Sequence, residues 1–369
     1  MEDKLYIDVI RAGTTYYLND DSLKDYCIKN IANPYYYKII TLSNGSKITI
    51  GYYRQFHHLF VKCSLPKILY GNNIEMLKGA DLNKTINCIN SVLIELGIFA
   101  DFSDFTISQI EISNNYICSS EKEKQLYIDL FNKRYVPRKR NSEYDTSTVY
   151  KNKSSRSTIY DKSEEVLFRN PDIHLFGKEK RIIRVEHKVP KRRLNKYKKN
   201  CKVRDLFNID LREVLREENK KVGLDMKMLN KKEFYSVLNE NIQNKSDKAQ
   251  KKIIKFYQEL NEYGELYVKQ RHSKYVFNTY RNIMLRAGIC TVHTSSTIKN
   301  IVDFQQPEKQ TFVQFAKNEI KNIIKKVKGE VKTTKNEKKR FRERMASVKP
   351  FCLLRKLFNS ISESYFNTS

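Results

Sequence analysis

Short stretches of alternating apolar and polar residues recur through the first half of this chain, and they constrain its fold more than any other feature. Alternation with a period of two is the signature of a β-strand with one face buried. It occurs at residues 3–11, 47–53, 56–64, 106–112, 157–162 and 181–189, with shorter strand-like runs at 38–41 and 147–150. The segment Ser43-Asn44-Gly45-Ser46 between two of these runs is a hairpin signal. Only two helical patterns interrupt the strands. One spans 81–96, with Leu82, Ile86, Ile89, Leu93 and Leu96 on one stripe and Gly97 as a stop; the other spans 122–132. From about residue 202 onward the pattern is helical. Strands that do not alternate regularly with helices argue against a wound parallel sheet. The expected class is therefore α+β: an antiparallel sheet with packed helices, followed by a mainly helical C-terminal region. The expected divisions are 1–204, 205–310 and 311–369.

Charge is distributed unevenly along the chain. The chain has 369 residues with 70 Lys+Arg against 42 Asp+Glu, a formal net charge of +28. Residues 1–130 carry a net −2, residues 131–204 a net +15, residues 205–315 a net +5 and residues 316–369 a net +10. A folded chain this basic points to a polyanionic partner, nucleic acid before a membrane surface. With 40% hydrophobic residues it is no disordered polycation. No run approaches 18 apolar residues, and the acidic start Met1-Glu2-Asp3-Lys4 does not resemble a signal peptide. The seven cysteines form no Cys-x-x-Cys, which speaks against a zinc ribbon or a disulfide framework. The expectation is a reduced, cytoplasmic protein with no membrane partner.

Splitting three of the strands by side-chain direction gives the candidate chemistry. Gln109, Glu111 and Ser113 share one side, as do Thr158, Tyr160 and Lys162, and as do Arg184, Glu186 and Lys188. If these strands are neighbours, their polar sides collect two carboxylates, a tyrosine and several cations. Carboxylate oxygens suit Mg²⁺ or Mn²⁺, a tyrosine oxygen can attack phosphorus, and Lys or Arg can stabilise charge on phosphoryl oxygens. A solvated sheet face shows the same alternation with no chemistry at all.

Four segments sharpen the choice: Ser64-Leu-Pro-Lys-Ile-Leu-Tyr-Gly-Asn-Asn73, Ile107-Ser-Gln-Ile-Glu-Ile-Ser113, Ser155-Arg-Ser-Thr-Ile-Tyr-Asp-Lys162 and Arg184-Val-Glu-His-Lys188. In this order and spacing they resemble the replication initiation proteins of filamentous phages and related plasmids, the gene II/X family. These are distant relatives of the His-hydrophobe-His nicking enzymes and of the plasmid Rep_trans group. The resemblance covers about residues 45–200. It implies a nicking fold over 1–204, with Tyr160 as the nucleophile in a Tyr-x-Lys segment, Glu111 on the family's acidic strand and Glu186 on its Arg-x-Glu strand. Segment 64–73 is expected to be structural, with Pro66 and Gly71 as strand exit and turn. The chain departs from the wider superfamily in having no His-x-His; the adjacent His57 and His58 would point to opposite faces of a strand. A carboxylate-dominated site is therefore expected, with Glu111 and Glu186 holding Mg²⁺ or Mn²⁺.

The implied reaction is nicking of one strand at an origin. Tyr160 would form a 5′-phosphotyrosyl link and free a 3′-OH that primes synthesis, with rejoining later in rolling-circle replication. Lys162, Lys188 and Arg184 would stabilise charge. Origin DNA is the expected partner, with host helicase and polymerase. Phosphate contacts are expected from Arg138, Lys139, Arg140, Arg156, Lys191, Arg192, Arg193 and Lys196, which bracket Tyr160 in sequence. Tyr197 among the lysines could stack on an unpaired base. Residues 273–289 read as an amphipathic helix that resembles a helix-turn-helix element, with Arg281 available for DNA, and equally as a plain packing helix. The chief alternative is a basic DNA-binding protein of the same fold without nicking activity. A tyrosine recombinase or type IB topoisomerase is disfavoured because Tyr160 lies on a strand pattern.

Overall fold

A computed structural model describes residues 4–29, 35–137, 139–169, 171, 174–175 and 177–294. Chain contacts divide the protein into two units, Met1–Gln310 and Thr311–Ser369, and the described residues all belong to the first. The expected basic helical tail, 311–369, lies outside them.

Among the described residues ten strands form one antiparallel sheet. They are β1 (Ile7–Thr15), β2 (Cys27–Lys29), β3 (Tyr35–Thr41), β4 (Lys47–Tyr53), β5 (His58–Ser64), β6 (Thr106–Ile117), β7 (Arg140–Tyr144), β8 (Ser147–Lys151), β9 (Arg156–Asp161) and β10 (Ile182–Pro190). Their order is β2-β3-β4-β5-β1-β6-β10-β9-β8-β7. The helices are α1 (Asp20–Leu23), α2 (Leu65–Tyr70), α3 (Leu82–Glu95), α4 (Glu121–Asn132), α5 (Lys162–Arg169), α6 (Lys191–Leu194), α7 (Leu211–Lys221), α8 (Lys231–Ile242), α9 (Asp247–Tyr263), α10 (Glu265–Arg271) and α11 (Lys274–Arg286). The α+β class is as the alternation predicts.

One face of the sheet is apolar and carries α3, α4 and α7. Ile10, Ile48, Ile50, Val61, Ile110 and Ile112 pack against Ile86, Ile89 and Leu93 of α3. That core also takes in Leu206, Leu211, Val214 and Leu215 from beyond residue 204. A second core joins Tyr116, Ile159, Ile183 and Val185 to Tyr127 and Phe131 of α4 and to Leu224, Cys290 and Val292. Helices α8 to α11 enclose a third, around Phe234, Phe256, Tyr257 and Met284. The opposite face of the sheet is where the polar alternation points.

Three local expectations need correction. Segment 64–73 leaves β5 at Ser64 and turns at Gly71 (φ 73°) as expected, but between them Leu65–Tyr70 is a helix with a proline in its first turn. His57 and His58 do not share a strand, because His57 turns a left-handed corner at φ 44° and β5 starts at His58. Lys162 is not the end of a strand but the start of α5. Asp161 Oδ1 accepts hydrogen bonds from the backbone N–H groups of Ser163 (2.9 Å) and Glu164 (3.2 Å), the chemistry of a helix N-cap.

Candidate active site

The sheet register brings the three polar segments together. On β10, Arg184 lies opposite Tyr160 of β9 and Asn115 of β6, while Glu186 lies opposite Thr158 and Ser113. Lys188 lies opposite Glu111 and Arg156. Glu111 and Glu186 are thus diagonal neighbours on one face, a relation that long side chains can bridge. The face opens into a cleft of about 700 Å³ that includes Glu111, Arg156, Tyr160, Glu186 and Lys188. Helix α5 and the β7–β8 hairpin contribute Glu165, Phe168 and Tyr144 to its lining.

At the centre, the Tyr160 hydroxyl donates to Glu186 Oε1 at 2.7 Å. Burial raises the tyrosine pKa above its usual value; Glu186 and Glu165 add to this and Arg184 opposes it. Tyr160 is therefore a protonated phenol at neutral pH whose proton already points at a carboxylate. Glu111 is half-buried, and burial, then the charges of Glu186 and Asp8, hold its carboxyl above the usual range against the pull of Lys62 and Lys188. Like-charge crowding of this kind is relieved by a cation.

Beneath these groups lies a buried ionic network. Arg184 is fully buried. Its Nη2 donates to Asp8 Oδ2 at 2.7 Å and to Ser113 Oγ at 2.8 Å, and its Nη1 donates to the Asn73 carbonyl. Arg184 Nε is 2.9 Å from Glu186 Oε1, an ion pair without hydrogen-bond alignment. Asp8 also accepts from Ser64 Oγ (2.5 Å) and Asn73 Nδ2 (2.9 Å). Burial alone would raise the Asp8 pKa, but Arg184 and these hydrogen bonds hold it below the carboxylate range. Lys162 Nζ donates to Asn73 Oδ1 at 2.8 Å and pairs with Glu165 Oε2 at 2.5 Å. Burial and the neighbouring Arg184 bring its pKa down to about 8. Arg184 and Lys162 thus correct the expectation: both are enclosed and committed to protein partners, whereas Lys188 is exposed on the cleft.

Two members of the network escaped the sequence reading. Asp8 interrupts the apolar run Leu5–Tyr6–Ile7–Val9–Ile10, and a register shift between Ile7 and Val9 turns it toward the polar face. A charge inside such a run was the available signal. Asn73 uses both ends of its amide, one for Asp8 and one for Lys162.

The expected phosphate-binding residues scatter. Arg156 is exposed on the cleft. Arg192 and Lys196 are exposed near α6, and Lys191 is half-buried at its start. Arg193 pairs with Glu218, which also takes Lys221 at 2.6 Å. Lys139 does not face the cleft: it donates to Ser157 Oγ at 3.0 Å, and Ser157 alternates to the other side of β9 from Tyr160. Tyr197 packs against the first core. Arg281 is a second correction. It is buried in the helical region, with Nε on Glu265 Oε1 at 2.7 Å and Nη2 on the Tyr135 carbonyl at 3.0 Å, so it is a packing residue. Arg138 lies outside the described residues; Arg140 starts β7.

Glu111 and Glu186 supply hard oxygen donors of the kind Mg²⁺ and Mn²⁺ take, and such ions commonly use one or two carboxylates plus phosphate oxygens and water. Among the described residues, no group of three Asp, Glu, His or Cys side chains forms a ready-made metal cluster. The pair therefore fits an ion completed by substrate rather than a closed protein cage. Among the described residues no helix is long and apolar enough to cross a membrane.

Residues 8–212, more than half of the chain, match a phage family described as the N-terminal part of a replication-associated protein. The matched stretch contains every residue of the cleft and its network named above. No curated protein matches the chain.

Proposed function

This chain belongs to the phage family of replication-associated proteins, rolling-circle replication initiators, whose N-terminal part it matches, and on that premise we propose that it nicks and rejoins one strand of origin DNA through Tyr160. The observation that carries this reading is the 2.7 Å hydrogen bond from the Tyr160 hydroxyl to Glu186, on the same open face as Glu111 and Lys188. A phenol with a raised pKa is a poor nucleophile until a base takes its proton. Glu186 is that base. As the tyrosine oxygen bonds to phosphorus, its proton passes to Glu186, the bond from phosphorus to the 3′ oxygen breaks, and the departing oxygen takes a proton from solvent. The products are a 5′-phosphotyrosyl link and a free 3′-OH.

Arg184 acts from below. Paired with Asp8 and Glu186, it fixes the carboxylate that receives the proton and does not touch the phosphate. Lys188 and Arg156 line the cleft and meet the phosphate charge. A divalent cation held by Glu111 and Glu186 would supply charge neutralisation at the phosphoryl oxygens. The phosphotyrosyl bond keeps the energy of the broken phosphodiester, so a later 3′-OH reseals the strand without ATP.

The test uses the full chain, Mn²⁺ or Mg²⁺, and single-stranded fragments covering the replicon that encodes it. The wild-type protein should form an adduct that survives denaturing electrophoresis. Tyr160→Phe should form none while binding the same fragments with unchanged affinity. A Tyr160→Phe protein that forms the adduct at the wild-type rate sinks the assignment.

A further inference from the structure

The open face of the sheet continues past the cleft, and what it presents there is aromatic. The register places Val9 opposite Ser64, Arg11 opposite Lys62 and Gly13 opposite Phe60. Gly51 then lies opposite Phe60 on one side and Tyr37 on the other, with Tyr53 opposite His58. Val9 and Ser64 line the cleft, so the alternating residues Lys62, Phe60 and Tyr53 extend the same face outward. Ring centroids of Tyr35 and Tyr53 are 5.1 Å apart, and those of Tyr35 and Phe60 are 5.9 Å apart. Tyr53 and Phe60 are 5.7 Å apart. Phe60 is only 4% exposed and forms the floor, while Tyr35, Tyr37 and Tyr53 are half-buried above it.

The floor exists because two positions lack a side chain. A Cβ on Gly51 would fall inside the Phe60 ring, and one on Gly13 would meet the His58 ring. The aromatics therefore lie low on the sheet and do not stand off it. The Arg11 guanidinium sits 4.1 Å from the Phe60 ring centroid, and its Nη2 donates to the Tyr53 hydroxyl at 3.2 Å. Lys62 is exposed beside it. Lys191 follows Pro190, which lies opposite Gln109 of β6, the residue that also faces Arg11, so its cation stands near this patch.

We propose that this aromatic patch on β3, β4 and β5 is a stacking platform for the unpaired bases that flank the scissile phosphate of a single DNA strand. The inference rests on the nicking reading for the direction of the strand, but it concerns binding alone. Aromatic rings and guanidinium planes on an open sheet accept any base face, while nearby cations follow the phosphates; duplex DNA keeps its base faces stacked away from such a surface. Strand β5 is four positions from β9, and the register sets Phe60 level with Thr106 of β6 while Tyr160 is level with Asn115, so the two are about 35 Å apart at the usual strand rise and spacing. An extended single strand of several nucleotides joins Tyr160 to the platform across that distance. Lys62, which also acts on Glu111, stands between the two.

The test is photocrosslinking of the full chain to a 20-nucleotide oligo(dT) carrying 5-iododeoxyuridine, in EDTA, with Tyr160→Phe as the background so that nicking plays no part. Mass spectrometry should place the crosslinks on Tyr35, Tyr37 or Tyr53. The Tyr35→Leu/Tyr53→Leu double variant keeps apolar contact but loses the flat ring, and should bind the oligonucleotide about 10-fold more weakly with duplex affinity unchanged. Crosslinks confined to residues 131–204, or an unchanged affinity in the double variant, would overturn the platform. Either result leaves the covalent adduct of the wild-type protein as a separate question, since adduct formation is read with divalent cation present and these measurements are not.

Discussion

Strand β10 carries two polar assemblies on its opposite faces, and they differ in kind. Toward the cleft, Arg184 and Glu186 belong to a charged network that reaches Tyr160 and opens to solvent at Lys188. Toward the helices, His187 is fully buried and neutral: Nδ1 is 2.9 Å from Ser157 Oγ and Nε2 is 2.8 Å from Asn219 Oδ1. Asn219 in turn donates to the Tyr116 hydroxyl at 3.2 Å. Burial brings the His187 pKa down to about 4. One face holds paired ions next to a cleft; the other holds a neutral histidine hydrogen-bonded under α7, with Lys139 donating to the same Ser157 hydroxyl. Adjacent residues of a single strand thus serve reactivity on one side and docking of a helix on the other.

Replacing Arg184 should break this contrast most severely. Arg184→Met leaves the Asp8 carboxylate buried without its cation, and removal of one partner of a buried pair costs about 3–5 kcal/mol. Denaturant unfolding reads the loss, and a cost below about 1 kcal/mol would show that the network is not what holds the cleft together. The face with the neutral histidine should instead respond to acid. The unfolded chain protonates His187 near its ordinary pKa of 6.5 and the native chain only near 4, so stability is lost as pH falls through that window. The full loss is about 3 kcal/mol. His187→Gln should flatten the slope between those two pH values; an unchanged slope would assign the acid sensitivity to other groups. The smallest effect belongs to Glu111. Because its pKa is raised, its ionised form costs stability at neutral pH and costs none once it is protonated in acid. Glu111→Gln should therefore melt slightly higher than wild type at pH 7 in chelator, with the gap closing on acidification. Added Mg²⁺ or Mn²⁺ should stabilise the wild type and not the variant.

Much of this site was legible in the sequence, for a specific reason. A period of two is unambiguous, so the shared face of Glu111, Tyr160 and Glu186 followed once the strands were recognised as neighbours. Alternation says which face a residue takes but not what covers it. It could not distinguish the buried Arg184 from the exposed Lys188, which lie on the same side of one strand. Lys162 was misplaced because Asp161 caps a helix there; the Asp161-x-x-Glu164 spacing carried that information. Arg281 shows the opposite error, a cation read as a DNA contact on an amphipathic helix that instead turns inward to the buried Glu265. The aromatic patch was invisible for a different reason. Its residues come from three strands, and only the register and the bare backbone of Gly51 bring them into one layer.

The pairing of Asp8 with Arg184 also orders events in time. The two residues are 176 positions apart, and a ribosome adding about 5–20 residues per second needs roughly 10–35 s to pass from one to the other. During that interval β5 and then β6 are made and become able to pair with β1, while the Asp8 carboxylate still has no Arg184. Contacts of such long sequence separation form late and slowly. The newly made N-terminal half therefore waits with a charged residue at its centre, and the cleft comes into being only when β10 has been synthesised and slots in between β6 and β9.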